Sequence, residues 1–221
     1  MTEHRYRDDD RAAVYRVIRE RRDMRHFRSG AIDPAVLQRL LDAARLAPSV
    51  GYMQPWRFIR ITDPALRGAI HTLVTAECEG TAEACGERAE EVRRLKLEGI
   101  LECGELLVAA LAEGRERYIL GRRTLPEMDL CSVACAIQNL WLAARAEGLG
   151  MGWVSLFEPD DLARLLNLPE GARPVAVLCL GHVDAFYSEP LLETVGWDTR
   201  RPAEETLFEN GWGRPAKLPA P

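Results

Sequence analysis

The sequence predicts an α+β fold in which helices and strands alternate along the chain. Two Asp-Pro pairs, Asp33-Pro34 and Asp63-Pro64, each combine a helix N-cap with a proline in the first turn. Three short apolar or alternating runs predict strands: WRFIRI (56–61), LLVAAL (106–111) and PVAVLCLGHV (174–183). With 221 residues, 47% of them hydrophobic, the chain is long enough to bury a substantial core.

The helices follow from apolar periodicity. Val14, Val17 and Ile18 recur at helical spacing, and the segment that ends at Gly148 is apolar on almost every side, as expected of a helix in a core or an oligomer interface. Helices are therefore predicted over residues 9–21, from Pro34 to before Ala47, 82–103 (charged and largely solvated) and 129–147. The tail beyond Phe186 shows little periodicity and is predicted to run extended over another surface.

Composition narrows the class of partner. The formal net charge of -5 and the pI near 5.5 argue against a dedicated nucleic-acid binder, which would show a basic face. The polar N-terminal stretch and the lack of any apolar run of about 18 residues disfavour secretion and membrane spanning. We expect a cytoplasmic protein that acts on a small molecule.

Six cysteines leave three possibilities: a metal site, a redox pair or buried reduced thiols. There is no C-x-x-C spacing, and the four histidines are scattered. Cys131 and Cys135 lie within the apolar pattern of the 129–147 helix. The spacing therefore favours buried, reduced thiols and no metal.

The first candidate site is RRDMR, from Arg21 to Arg25. On a continued first helix, Arg21 falls on the face of Val14 and Ile18, so the arginines are predicted to point where the core residues point. Positive residues at a helix C-terminus also complement the helix dipole, which is an ordinary surface feature. Alternatively, two guanidinium groups at the edge of a core hold a phosphate or carboxylate.

Two further segments carry site signals. The first segment, APSVGYMQPWRF (47–58), has small and turn-forming residues between a helix and a strand. It is either a loop whose backbone a ligand can approach closely or an ordinary turn. The second segment, EGLGMGWVSLF (147–157), contains three glycines spaced by two. It is predicted to form a turn whose unshielded backbone N–H groups donate hydrogen bonds to the edge of a flat heteroaromatic ring. It is not the G-x-G-x-x-G of a Rossmann site.

Together and in this order, the three segments resemble the FMN-dependent nitroreductase family, in which they line one flavin site. RRLKLEGI (93–100), the run from Met128 to Phe157 and FENGWG (208–213) narrow the resemblance to the branch that consumes its reduced FMN. Other members usually carry a proline-containing turn where this chain has GWVSLF. The resemblance covers about residues 10–213.

The resemblance implies a nitroreductase-like fold with a central, mostly antiparallel sheet flanked by helices. It implies one domain over residues 10–213, with flexible termini at 1–9 and 214–221. An extended C-terminal tail is expected to wrap around the partner subunit of a homodimer whose two subunits share each flavin site. Two sources of the reduced FMN stay open, reduction by the chain itself and a separate NAD(P)H-dependent flavin reductase, and the resemblance favours the separate reductase.

Residue roles follow from the same resemblance. The residues expected to bind the FMN phosphate and ribityl chain are Arg21, Arg22, Arg25 and Arg200, with Arg201 an equally good match for the last. Ser49 and Gly51 match the loop under the flavin, and Trp153, Val154 and Ser155 match the turn beside its reactive edge. Asp23 and Ser155 match the two residues needed for fragmentation.

The implied reaction breaks reduced FMN with oxygen into 5,6-dimethylbenzimidazole, the lower ligand of cobalamin, and a four-carbon sugar phosphate. Such chemistry needs a closed, dry pocket, which the apolar side chains of Met53, Trp153 and Phe157 are expected to supply. Asp23 is expected to move protons, although an ordinary ion pair with Arg21 or Arg25 is the alternative. Two other functions stay open: an NAD(P)H-dependent FMN nitroreductase or flavin oxidoreductase, and a non-catalytic flavin-binding protein.

Overall fold

A computed structural model describes residues 4–216, so the predictions for residues 1–3 and 217–221 lie outside the described part of the chain. The chain divides into two compact units, residues 1–188 and 189–221. The single domain predicted over 10–213 stays a prediction. In the described range, the first helix begins at Asp8, inside the predicted N-terminal segment.

The first unit alternates helices with strands, as the sequence predicts. Its helices are α1 (Asp8–Glu20), α2 (Pro34–Arg45), α3 (Pro64–Ala84), α4 (Ala89–Arg93), α5 (Gly99–Glu102), α6 (Met128–Ala146) and α7 (Pro159–Leu165). Its strands are β1 (Trp56–Ile61), β2 (Glu105–Leu111), β3 (Gly150–Val154) and β4 (Arg173–Gly181). The second unit adds α8 (Leu191–Thr194).

The four strands form one sheet in the order β1-β2-β4-β3, and every pairing is antiparallel. This confirms the predicted sheet. Every residue of β2 is buried, and α6 packs against the sheet with α2 beside it. The core between them is built from aliphatic side chains that include Leu40, Ile137 and Leu178.

The two Asp-Pro helix starts are confirmed. The Asp33 carboxylate accepts the backbone N–H of Ala35, and the Asp63 carboxylate accepts that of Ala65, each at 2.8 Å. Each cap satisfies one of the N–H groups that a helix start leaves without a partner.

The helix predicted over 82–103 is wrong as a single element. α3 extends to Ala84, and Gly86 then adopts a left-handed conformation with a φ of +57°. Glycine reaches this region without steric cost, so the chain turns here and continues as the short helices α4 and α5.

The glycine-rich turn predicted over 147–157 is also corrected, because residues 150–154 form strand β3. The glycines allow a second chain segment to approach the strand. A Cβ at Gly152 would lie 2.4 Å from the carbonyl oxygen of Met24, and one at Gly150 would lie 3.1 Å from Met24 Cγ. A side chain at Gly152 would collide with Met24, and one at Gly150 would collide with Val183 and crowd Met24, so both positions require glycine.

Helix α1 forms where predicted, but its apolar side is not covered within the described chain. Val14 is 59% exposed and Ile18 is 50% exposed, and none of the α1 residues is buried. The helix ends at Glu20, and Arg21 is extended, with a φ of -61° and a ψ of 133°. The prediction that the arginines continue the helix toward the core is therefore wrong.

The cysteines are all reduced, but only part of them is buried. Cys78, Cys103 and Cys179 are buried, whereas Cys131 and Cys135 lie on an exposed face of α6, contrary to prediction. A hydrogen bond with Cys103, together with burial, raises the pKa of Cys179 well above its ordinary value. The same hydrogen bond lowers the pKa of Cys103, so these two buried thiols interact directly with each other.

The second unit contains little regular structure beyond α8. A short 3-10 turn spans Ala203–Glu205, and an isolated bridge joins Phe208 to Pro215. The rings of Phe208 and Trp212 lie 5.2 Å apart.

Along the described residues, 4–216, no helix is both long and apolar enough to cross a membrane.

Candidate functional site

The RRDMR motif leaves α1 and runs along the edge of strand β3. Met24 N–H donates to the carbonyl of Met151 at 3.0 Å, and Asp23 pairs with Met151 as a parallel bridge. Arg28 N–H then donates to the carbonyl of His182 at 2.8 Å. Backbone pairing thus fixes the motif beside the strand that leads to Ser155.

The Asp23 carboxylate is held by two donors. Its Oδ1 accepts the Trp153 N–H at 2.8 Å, and its Oδ2 accepts Arg25 Nη2 at 2.5 Å. The same Arg25 nitrogen donates to the Trp153 carbonyl at 3.1 Å. Asp23 and Arg25 thus form an ion pair, which was the alternative to a proton-moving role, and the pair is also attached to the backbone of β3. The proton-moving role of Asp23 stays a prediction.

Arg21 and Arg22 point to different surroundings. The Arg21 guanidinium lies over the Trp141 ring, 4.3 Å from its centroid. The Arg22 guanidinium donates to the carbonyls of Arg19, Arg21 and Ser188 at 2.7, 2.8 and 2.6 Å. Arg22 therefore satisfies carbonyl groups at the end of α1, which is the role that a cation has at a helix C-terminus. Its contact with a flavin phosphate stays a prediction.

Trp141 belongs to this site and was not singled out from the sequence. Its indole N–H donates to the Arg22 carbonyl at 3.2 Å, and its ring lies 6.3 Å from that of Trp153. The two indoles place flat apolar surface beside Arg21 and Asp23. The sequence feature that could have identified Trp141 is an indole within an otherwise aliphatic stripe of α6.

The loop after α2 is held in an unusual backbone conformation. Gly51, Tyr52 and Gln54 have φ values of +53°, +53° and +50°. Positive φ values at residues other than glycine are strained and persist where surrounding contacts enforce them. Here the Ser49 hydroxyl accepts the Gln54 N–H at 3.0 Å, and the buried Ser132 hydroxyl accepts the Val50 N–H at 3.1 Å. Ser132, which sequence analysis missed, is thus part of the loop's support.

Ser155 follows the last residue of β3, the buried Val154, and is itself exposed. It lines a cavity of about 470 Å³ together with Phe157, Leu130, Arg115 and Arg122. Phe157 is buried at this cavity. Its role in closing a flavin pocket stays a prediction. Met53 is buried and Trp153 is half-buried, but neither lines the cavity.

Arg200 and Arg201 lie in the second unit, and both are exposed. Arg201 Nη2 forms an ion pair with Asp198 Oδ2 at 3.4 Å. Which of the two arginines contacts a phosphate stays a prediction.

The described residues fit a flavin. Arg21 and Arg25 supply cations, and Trp141 and Trp153 supply ring surface. Across residues 4–216, no group of three His, Cys, Asp or Glu side chains is arranged to hold a metal ion.

Comparison with known proteins identifies the class to which this fold belongs. The chain belongs to the nitroreductase family, whose model matches residues 18–182. Within the family, the similarity extends to curated enzymes named 5,6-dimethylbenzimidazole synthase. The one from Rhodospirillum rubrum is 45% identical over 82% of this chain and 87% of the relative. One from Rhodobacter capsulatus is 42% identical over 88% of this chain and 95% of the relative.

Solved structures confirm the fold. Nitroreductase A from Vibrio parahaemolyticus superposes with a TM-score of 0.67 at 22% identity, covering 94% of this chain and 78% of that one. Iodotyrosine deiodinase bound to FMN and 3-iodo-L-tyrosine superposes with a TM-score of 0.68 at 22% identity, covering 90% and 98%. The predicted nitroreductase-like fold is thus confirmed.

Proposed function

We propose that this chain is a 5,6-dimethylbenzimidazole synthase, which fragments reduced FMN in the presence of oxygen and releases a four-carbon sugar phosphate. The observation that carries the proposal is the link between Asp23 and the end of β3. The Asp23 carboxylate accepts the backbone N–H of Trp153, two residues before Ser155. The two residues that sequence analysis assigns to fragmentation are thereby attached to one short segment. The similarity to curated synthases supports the same assignment.

The binding roles follow from charge and shape. Arg21 and Arg25 provide guanidinium forks for the phosphate. The loop at Ser49 and Gly51 lies under the flavin in this proposal, as the family resemblance implies. Bound reduced FMN would supply the ring that is broken and the electrons that reduce oxygen.

In this proposal Asp23 moves protons and Ser155 orients the reacting groups. Both carboxylate oxygens of Asp23 act as hydrogen-bond acceptors, which is the form a general base needs. Ser155 is exposed and lines the cavity, where its hydroxyl would donate to a reacting group. Phe157, buried beside it, reduces access of water.

We also propose that the protein is a homodimer. α6 buries one face, but Leu130, Cys131 and Cys135 on its other side are exposed, and α1 exposes Val14 and Ile18. Helices α1 and α6 contact each other, and apolar side chains exposed on neighbouring helices are typical of a surface that another protein covers. A second copy of the chain is the natural partner because a twofold interface is self-complementary.

If α6 forms this interface, Cys135→Glu is expected to convert the dimer to a folded monomer, because it places a charge in an apolar contact. Light scattering at micromolar concentration measures the mass, and circular dichroism reports the fold. Ala76→Glu, at an exposed position of α3, is the matched control and is expected to stay dimeric. A wild-type monomer, or a Cys135→Glu dimer, would contradict this interface.

The function is tested by aerobic incubation of the purified chain with FMN and NADPH, with and without an unrelated flavin reductase. We expect mass spectrometry to detect 5,6-dimethylbenzimidazole only when the reductase is present, as in a cytoplasm where another enzyme supplies reduced FMN. Product without the reductase would show that the chain reduces its own FMN. If the chain alone oxidises NADPH while FMN stays intact, it is an oxidoreductase that keeps its flavin. If neither mixture reacts, the non-catalytic flavin-binding protein is favoured.

A further inference from the structure

Two of the few buried polar side chains lie one turn apart at the start of α6. Among residues 4–216, the buried polar or charged residues are Glu105, Asp129 and Ser132. Polar groups are rarely buried without partners, so their contacts indicate what they hold in place. Ser132 holds the 49–53 loop, as described above, and Asp129 holds a different segment.

Asp129 lies between two arginines of the 113–127 segment, which joins β2 to α6. Asp129 Oδ2 is 2.8 Å from Arg115 Nε and 3.1 Å from Arg122 Nη2. The Asp129 side chain is 7% exposed, and those of Arg115 and Arg122 are 12% and 15% exposed. Ion pairs at this depth are screened little by solvent.

The cluster is largely saturated by the protein itself. Asp129 Oδ1 accepts the Leu130 N–H at 2.7 Å. Arg115 Nη1 donates to the carbonyls of Ala112 and Gly171, and Arg122 Nη1 donates to the Arg115 carbonyl at 3.3 Å. Because most donors and acceptors have protein partners, the cluster is built to fix the chain and not to capture an ion.

The segment that Asp129 fixes packs on the predicted flavin loop. A Cβ at Gly51 would lie 3.0 Å from the carbonyl oxygen of Leu120, and a Cβ at Gly121 would lie 2.8 Å from Val50 Cγ2. The cavity that Ser155 lines is also bounded by Arg115, Arg122 and Asp129. Asp129 therefore lies in a wall of that cavity and also holds the segment that packs on the 49–53 loop.

We propose that Asp129 is a positioning residue of the reaction: through Arg115 and Arg122 it fixes the 113–127 segment against the 49–53 loop and shapes the cavity at Ser155. The inference rests on the proposed function for its chemical consequence. Asp129 acts through these arginines and not on the flavin. Removing its charge leaves two buried guanidinium groups next to each other, which repel and release the segment.

The test compares Asp129→Asn with Asp161→Asn, which alters an i,i+3 ion pair with Arg164 on α7 outside the cavity. In the protein without flavin, hydrogen–deuterium exchange of residues 113–127 is expected to be at least about tenfold faster in Asp129→Asn. With reduced FMN and oxygen, the ratio of 5,6-dimethylbenzimidazole to hydrogen peroxide is expected to fall about tenfold or more. Asp161→Asn is expected to match the wild type in both measurements.

If Asp129→Asn does not fold, Arg122→Gln replaces it, because this variant leaves a single Asp129–Arg115 pair. Unchanged exchange, or faster exchange with an unchanged product ratio, would overturn the positioning role. If the wild type forms no 5,6-dimethylbenzimidazole, the proposed function fails independently. In that case the positioning role is tested by the exchange rates and the FMN dissociation constant. Displacement of the 49–53 loop is expected to weaken FMN binding about tenfold. An unchanged FMN affinity would overturn the proposal.

Discussion

Asp23→Asn is expected to lower 5,6-dimethylbenzimidazole formation by about 100-fold or more, the usual contribution of a positioned general base. The amide oxygen of Asn can still accept the Trp153 N–H, so the end of β3 is expected to keep its position. The amide nitrogen faces Arg25 and cannot act as a base. Affinity for FMN is therefore expected to hold while fragmentation stops.

Reduced flavin in this variant would still react with oxygen, so we expect it to return as intact FMN with hydrogen peroxide. Single-turnover mixing of the reduced complex with aerated buffer measures FMN, hydrogen peroxide and 5,6-dimethylbenzimidazole together. Ser155→Ala is expected to divert the reaction in the same way if the hydroxyl orients the reacting groups.

The matched control is Asp184→Asn, which alters an exposed ion pair with Arg28, 3.4 Å long, outside the cavity. It is expected to behave as the wild type. Undiminished product from Asp23→Asn would remove Asp23 from the mechanism and leave it as an ion-paired attachment to β3. Loss of FMN binding or of thermal stability would make it a binding or structural residue only.

Arg21→Ala or Arg25→Ala is expected to weaken FMN binding by about 1.5 to 3 kcal/mol, the typical value of a hydrogen bond to a charged group. Each 1.4 kcal/mol corresponds to about a tenfold change in the dissociation constant. Because the phosphate is the proposed contact, riboflavin should lose much less affinity than FMN. Calorimetric titration with both flavins measures the difference.

Arg28→Ala is the control for this series, since Arg28 is exposed and pairs with Asp184. Arg22→Ala separates two roles, because its guanidinium donates to carbonyl groups at the end of α1 and to the Ser188 carbonyl. If capping is its main role, thermal stability falls more than FMN affinity. Equal losses for FMN and riboflavin in Arg21→Ala and Arg25→Ala would show that these arginines do not contact the phosphate.

Local signals predicted the two capped helices and the buried central strand. Asp33 and Asp63 cap helices because a short carboxylate before a proline satisfies the first N–H groups wherever it occurs. The strand at 106–111 was predictable because a run with no polar residue is stable only when it is buried.

Features that depend on distant parts of the chain were not predictable. The glycines at 150 and 152 suggested exposed N–H groups, but their role is to let Met24 pack on β3, which only tertiary structure defines. The arginines of RRDMR could not be told apart, because the chain turns at Arg21 and sends neighbouring side chains in different directions. Residues Asp129 and Ser132 did leave a signal, as polar residues three apart in an apolar helix.

The most direct test of the account is a single turnover with uniformly ¹³C-labelled FMN, reduced with dithionite and mixed with oxygen and the purified chain without any reductase. We expect fully labelled 5,6-dimethylbenzimidazole to form as the labelled FMN disappears, because FMN is proposed to be the only carbon source. Complete recovery of labelled FMN, with hydrogen peroxide as the only product of oxygen, would contradict the proposed fragmentation of FMN.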